Sequence, residues 1–427
     1  MENKHRLLFT ALLFTALLLR LWLAPMRGHV HDIEQLKAWT ETAVTTNPLA
    51  IYSTSTANYP PLGLLPLIVM GHLYQALFSP EFDTSSTTLT ALLKLPGITA
   101  DLITAAILFF YLTQQFNRRW GFIGLAAYAL NPAVIYNTAW WGQLESLVAL
   151  PMLLAVIALA NGRIRWAWFW LAVAVLVKPQ AAVIAPVIFV VSLYSGGWRK
   201  VAQGVSAAVI TTFIILLPFI LAGQLPALIA QIRASTGTQL FLTMNAHNFW
   251  YLVTLGRGSF AARETNPILD NEPLLGPLTG WQIGLGLYFI WTLFICWRLV
   301  AASHQLKLSE KLFTTYSLPT VHCSLPTVYW ASAAMIIGFY MLPAEAHERY
   351  LFPALALLVP LLPGGRPYQL VYLLLTTTFL LNLLWVDAAI PLPAFSQNLT
   401  LAIPLAALNV ALLIYHATLL DDFASSW

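Results

Sequence analysis

The stretch GHVHDIEQLKAW (28–39) places His29, His31, Asp32, Glu34 and Lys37 within nine positions, in a chain where charged residues make up 9% of the total. An ionised carboxylate here can take the proton of a hydroxyl that is about to attack. The same imidazoles and carboxylates offer nitrogen and oxygen ligands to a divalent ion, although consecutive positions rarely converge on one ion without distant partners. Asp32 ahead of IEQLKAW also fits a helix N-cap. Other groups capable of chemistry are dispersed. They are Tyr59 in NYPPL, Lys94, Asp101, Gln143 and Glu145 in WWGQLES, Lys178 in VKPQ, Arg233, Asn248 and Trp250 in NFW, and His347, Glu348 and Arg349 in HERY. Taken singly, each has a structural reading: Tyr-Pro-Pro as a stiff turn, Asp101 and Glu145 as helix-packing groups, Lys178 as a snorkelling cation.

What must position these residues is a membrane protein. The 427 residues are 59% hydrophobic with a mean hydropathy of +0.73, whereas a soluble chain carries charges at roughly a quarter of its positions. Apolar stretches of about 18 residues recur from end to end, each able to cross a hydrocarbon core roughly 30 Å thick. They are continuous rather than alternating, which argues against a barrel. The pattern predicts an all-α polytopic protein, one integral membrane domain over 1–427, with a total of about twelve spans. The run 7–24 follows Lys4 and Arg6 as a signal peptide would. It is long, however, and Met26-Arg27-Gly28 offers no small-residue cleavage site, so it reads as a retained first helix. Cys296 and Cys323 make no CxxC or metal spacing, and neither a structural disulfide nor a thiolate metal site is expected.

With the N terminus in the cytoplasm, Arg118 and Arg119, Arg163 and Arg165, Arg199 and Lys200, and Arg366 all fall in short interior turns, as the positive-inside rule requires. The C terminus is then also inside, and two long segments, 26–93 and 223–280, lie outside. The stretch 60–78 is apolar enough to span, but the SPEFDTSSTT beyond it is acidic, so it reads as a helix in the outer interface. The net charge of +4 marks cytoplasmic turns rather than a nucleic-acid surface. This topology gathers the dispersed chemical groups at one membrane boundary, where ionisable residues mark a site by default. Cations beside carboxylates there suit an anionic lipid head group and a hydroxylic partner.

In order and spacing these motifs resemble the GT-C superfamily of membrane glycosyltransferases, which take sugars from polyprenyl-phosphate carriers. His31-Asp32-Ile33-Glu34 is similar to the acidic G-D-x-E pattern of the dolichyl-phosphate-glucose-dependent glucosyltransferases, sharing its Asp and Glu. Asn58-Tyr59-Pro60-Pro61-Leu62 matches their D-Y-P-P-L except at the first residue. Asn248-Phe249-Trp250, with Arg233 upstream, matches an A-N-F-W pattern in which His247 replaces the Ala, and His347-Glu348-Arg349 matches H-E-K with Arg in the basic place. Bacterial proteins related to GPI-anchor mannosyltransferase II share the N-P…W-G-Q-x-[DE]-S run (131–146) and the K-P-Q turn (178–180). The likeness spans 1–360. The departures at Asn58 and His247 count against importing the glucosyltransferases' donor or acceptor.

The resemblance implies a GT-C-like helical bundle whose long first outer loop contains interfacial helices. It implies an inverting transfer of a hexose, mannose or glucose, from a polyprenyl phosphate to a lipid-linked or cell-envelope glycan acceptor. The reaction would take place on the extracytoplasmic face of a bacterial cytoplasmic membrane, without a cofactor. Asp32 is then the general base, with Glu34 and His31 positioning it or the acceptor. A departing lipid phosphate needs positive charge rather than an acid. Arg349 offers a planar fork, and Lys94, Lys178, Arg233 and His347 are further candidates. Tyr59, Gln143, Glu145, Asn248, Trp250 and Glu348 are candidate substrate contacts. The chain has no GxSxG nucleophile pattern, and its inner face carries no DxD-like pair or Gly-rich phosphate loop for a nucleotide sugar. A transporter or flippase is the rival class, with Asp101, Glu145 and Lys178 as its relay. Such proteins usually carry internal repeats, and none relates the two halves of this sequence. A scaffold that only binds polyprenyl lipid would keep the cations but not need Asp32.

Overall fold

The structure is a computed structural model that describes residues 2–234, 239–313, 325–387 and 398–420; Cys323 lies outside them. The described residues are mostly helical, with strands of two or three residues and connecting turns. Among the described residues six helices are long and apolar enough to cross a membrane: Asn3–Leu23, Thr87–Gln115, Pro179–Leu221, Gly280–Ala302, Arg366–Val386 and Leu399–Thr418. Shorter apolar helices, Pro61–Leu77, Glu145–Ala160, Ile164–Val177 and Leu225–Ala234, accompany them. The chain divides into two compact units. One comprises Met1–Pro151, Ala172–Ala181 and Val209–Thr238; the other comprises Met152–Leu171, Ala182–Ala208 and Gln239–Trp427.

In the first unit, α1 (Glu2–Leu23) is a Leu-, Phe- and Ala-rich run that stops just before Pro25, since the residue preceding proline is driven out of the α region. Leu7, Phe14, Leu18 and Trp22 are exposed along it, as side chains bathed in lipid would be. Gly28 then turns the chain with a φ of 68°, and α2 (Val30–Thr45) begins. Ile33, Leu36, Lys37, Thr40 and Ala43 are buried at helical spacing, so α2 lies with one face against the core. Its N-cap is His29, not Asp32. Asp32 sits in the first turn, where the positive end of the helix dipole favours a carboxylate.

The long helix Thr87–Gln115 is capped by Ser86, whose hydroxyl accepts from the Thr88 N–H at 3.1 Å. Lys94, Ile98, Asp101, Ala105 and Leu108 form one buried face on it. Helix Arg118–Ala129, capped by Asn117, packs alongside it. Asn131 Oδ1 then accepts from the N–H groups of Ala133 and Val134, opening a short helical turn. That turn runs into a π-helical turn, Tyr136–Trp141. Gly142, with a φ of 90°, ends the π turn, and helix Glu145–Ala160 follows. A core of Leu36, Trp39, Tyr52, Leu64, Leu67, Tyr74, Leu89, Leu93 and Leu144 fastens α2 and its neighbours beneath this turn.

In the second unit, Thr243–Met244 pairs in parallel with Ala346–His347, which brings the segments before NFW and HERY side by side. The Ala185–Leu221 helix, which contributes residues to both units, is broken at Gly196 and Gly197, where Gly197 has a φ of 64°. This is the break expected between two spans at Gly197-Trp198-Arg199-Lys200.

Candidate active site

The turn 136–146 folds onto the start of α2, and Asp32 is the meeting point. Trp141 Nε1 donates to Asp32 Oδ2 at 2.7 Å, and Gln143 Nε2 donates to the same oxygen at 2.6 Å. His29 Nδ1 lies 3.1 Å from it, with the imidazole stacked on the Trp141 indole at 4.5 Å and 14°. The His29 N–H donates to the Trp141 carbonyl at 3.2 Å. This close approach needs glycine at two places. A Cβ at Gly28 would lie 2.7 Å from the Trp141 carbonyl oxygen, and one at Gly142 would run into Ile33. Asp32 itself is about six-sevenths covered, its side chain 14% exposed. The carboxylate therefore sits at a boundary, fixed in orientation by donors from a segment more than a hundred residues away.

The other expected members of the opening cluster behave differently. Glu34 is exposed and pairs with Lys37 at 3.1 Å, and His31 is exposed on α2. Among the described residues no group of three or more His, Cys, Asp or Glu is placed to hold a metal ion. Of the four HVHDIE candidates, the structure brings only His29 and Asp32 into contact.

Lys94 and Lys178 are both buried in this unit. Lys94 Nζ donates to the carbonyls of Met26 at 2.9 Å and Trp140 at 2.7 Å. Lys178 Nζ donates to Glu145 Oε2 at 2.5 Å and lies 4.6 Å from the centre of the Tyr59 ring. Three expected site residues thus form one ion-pair and cation–π group. Asp101 accepts from Arg20 Nε at 3.2 Å, Ser146 Oγ at 2.6 Å and Tyr128 OH at 3.3 Å, all buried. Ser146 in turn meets Thr138 Oγ1 at 2.8 Å. Arg233 is exposed in the last turn of helix Leu225–Ala234.

In the second unit, Asn248 is the N-cap of helix Phe249–Val253. It accepts from the Tyr251 N–H and donates to the Tyr340 carbonyl. Trp250 Nε1 donates to the Leu342 carbonyl at 2.8 Å. Asn248 thus caps its own helix, and both residues donate to carbonyls at the end of helix Leu325–Met341. Arg349 Nη1 donates to the buried Glu348 at 2.9 Å, and His347 Nδ1 lies 3.9 Å from the other carboxylate oxygen. His247 is fully buried with Tyr251 and Trp385 at its edges, and burial pushes its imidazole down to about 3.

Arg20 and Tyr128 belong to no motif of the sequence, and Trp141 and Ser146 stand in the W-G-Q-x-[DE]-S run without a role of their own. A role for Trp141 was within reach of sequence reasoning, because a tryptophan at a turn carries an indole N–H that needs an acceptor when buried.

A bundle of apolar helices with a donor-held carboxylate at the head of the helix after the first span defines a helical fold of the membrane-spanning kind. The solved structure of ArnT from Cupriavidus metallidurans bound to undecaprenyl phosphate is similar to 99% of this chain, over 78% of its own length. The TM-score is 0.51, at 14% sequence identity. No family model matches the sequence, and no curated protein does.

Proposed function

We propose that the protein is a glycosyltransferase that moves a sugar from a polyprenyl-phosphate carrier to a hydroxyl of a glycan or lipid-linked acceptor. The observation that carries this reading is the convergence of Trp141 and Gln143 on one oxygen of Asp32. An oriented carboxylate at a boundary is suited to general-base work. The acceptor oxygen attacks the anomeric carbon, Asp32 takes its proton, and the polyprenyl phosphate leaves with the bonding electrons, inverting the configuration. The fold shared with a structure bound to undecaprenyl phosphate supports the carrier class. Mannose and glucose are the proposed sugars. The proposed setting is the extracytoplasmic face of a bacterial cytoplasmic membrane, with both termini inside. Arg233, His347 and Arg349 are proposed phosphate contacts on residue type alone, Arg349 for its bidentate fork, whereas the ammonium of Lys178 is engaged by Glu145.

The test is transfer from radiolabelled polyprenyl-phosphate mannose and glucose by the purified full-length protein, beside Asp32→Asn. Transfer by the wild type and its loss in the nearly isosteric variant is the expected result. Retention of more than about a tenth of turnover would contradict a general base, which contributes roughly 10²–10⁴-fold. Label crossing a vesicle membrane without sugar transfer would instead point to a flippase.

A further inference from the structure

Lys94 and Asp101 lie seven residues apart on the buried face of helix Thr87–Gln115, about 10 Å along its axis. Each binds one group that precedes Asp32 in the chain and one from the segment 138–146. Lys94 holds the Met26 carbonyl, three residues before His29, and the Trp140 carbonyl, one residue before Trp141. Asp101 holds Arg20, in the last turn of α1, and Ser146, three residues after Gln143. Thr138, joined to Ser146, ties the start of the same segment to the same carboxylate level.

We infer that Lys94 and Asp101 are positioning residues, a double clamp on one helix face that sets the distance between the Asp32 segment and the turn carrying Trp141 and Gln143. This inference rests on the reading of Asp32 as the base. A buried ammonium and a buried carboxylate are costly to desolvate, and apolar side chains of similar size would fill the same space at less cost. What the charged groups add is direction: each makes hydrogen bonds to separate chain segments, Asp101 also to Tyr128, which packing alone would leave free to slide. The arrangement also separates Lys94 from a phosphate-binding role. Lys94 is 1% exposed and its ammonium already donates to two carbonyls, so a phosphate could reach the one remaining N–H only by displacing the groups that bury it.

The experiment uses the full-length protein in lipid nanodiscs, with Lys94→Met, which keeps length without charge, and Ser146→Ala, a small change on the Asp101 level. Hydrogen exchange over 26–34 and 138–146 should quicken in both variants. With the transferable sugar donor, kcat should fall about 10- to 100-fold, in line with the cost of about an ångström of misplacement, while the donor KM stays within about twofold of wild type. Unchanged exchange in Ser146→Ala overturns the clamp whatever the activity shows. A tenfold loss of donor affinity at preserved kcat in Lys94→Met also overturns it, making Lys94 a phosphate contact. Should Lys94→Met fail to fold, Ser146→Ala decides alone. The exchange readout needs no turnover, so failure of the clamp stays distinct from failure of the base reading, which Asp32→Asn tests by itself.

Discussion

Trp141 Nε1 donates to Asp32 Oδ2 across 2.7 Å, joining residues 109 positions apart in the chain. The relationship explains why WWGQLES and HVHDIE act together although neither alone makes a site. A carboxylate in the first turn of a helix ordinarily samples several rotamers. Here one of its oxygens is met by an indole N–H and an amide N–H, and an imidazole stacked on that indole stands beside the same oxygen. Orientation of a reacting group is worth several kcal/mol of barrier when it holds the near-attack geometry. The donors can be removed one at a time without touching the carboxylate.

Trp141→Phe leaves a smaller aromatic ring against His29 but deletes the indole N–H, and Gln143→Leu deletes the amide. Each removes a hydrogen bond to a charged group, worth about 1.5–3 kcal/mol, which corresponds to roughly a 10- to 100-fold loss in kcat. Single-turnover kinetics with saturating donor should show this loss with little change in KM. Because both donors meet one oxygen, the double variant should lose less than the product of the two single losses. Two single variants at wild-type rate would show that the orientation of Asp32 does not limit transfer.

The buried Glu145–Lys178 pair makes a stability prediction. Both side chains are 5% exposed, so Lys178→Met strands an uncompensated carboxylate at a cost of about 3–5 kcal/mol. Glu145→Gln combined with Lys178→Met should recover much of that cost, since a buried pair replaced as a whole is often close to neutral. Thermal unfolding of the detergent-solubilised protein, monitored by tryptophan fluorescence, would compare the three. A Lys178→Met variant as stable as wild type would mean that Glu145 finds water or another partner.

How much of this was legible in the sequence differs from residue to residue. Residue type and membrane depth drew attention to Asp32, Gln143, Glu145, Lys178 and Tyr59, and the fold brings them into two contact groups within one unit. The helical class and the presence of apolar spans follow from windows of hydropathy alone; against the expected total of about twelve, six of the described helices are long and apolar enough to cross. Partnership was not legible. Lys94 looks like any other buried cation in the sequence, and only the fold shows two backbone carbonyls on its ammonium. Asn248 and Trp250 matched a motif, yet their polar atoms serve a helix cap and the Leu342 carbonyl. The N-cap moved from Asp32 to His29 because Gly28 turns the chain earlier than the apolar spacing suggested. Each case depends on which polar atoms are already satisfied, which is a property of packing across the chain and not of a local pattern.

His247 should make the protein sensitive to acid. Its folded imidazole is pushed down to about 3 by burial, below the ordinary value of 6.5. Between those values the unfolded chain binds a proton that the folded chain does not, so stability rises with pH across this window. The contribution is complete above the ordinary histidine range and is lost progressively as pH falls toward 3. His247→Phe keeps an aromatic ring against Tyr251 and Trp385 and removes the titration. The drop in Tm from pH 7.5 to pH 5 should be smaller in the variant than in wild type, whatever their absolute values. Equal drops would show that this imidazole is protonated without unfolding its surroundings.

The side of the membrane on which Asp32 lies can be tested within the first unit. Helix Thr87–Gln115 has 29 residues, about 43 Å at 1.5 Å each, so its two ends stand on opposite sides of a core roughly 30 Å thick. Helix Pro61–Leu77 has 17 residues, about 25 Å, short for a crossing and suited to the interface. With the basic turn Arg118-Arg119 inside, single cysteines replacing Arg27, Glu81 and Gln180 should react with an impermeant thiol reagent from outside intact cells. Cysteines replacing Gln115 and Arg119 should react only after permeabilisation, all on a background lacking Cys296 and Cys323. Arg27 and Glu81 bracket α2 and the Pro61–Leu77 helix, so their agreement is the decisive comparison. If Arg27 labels from outside and Glu81 only from inside, that helix spans the membrane. Every later turn would then invert, placing Arg118 and Arg119 outside against the charge rule and removing the basis on which the extracytoplasmic site was assigned.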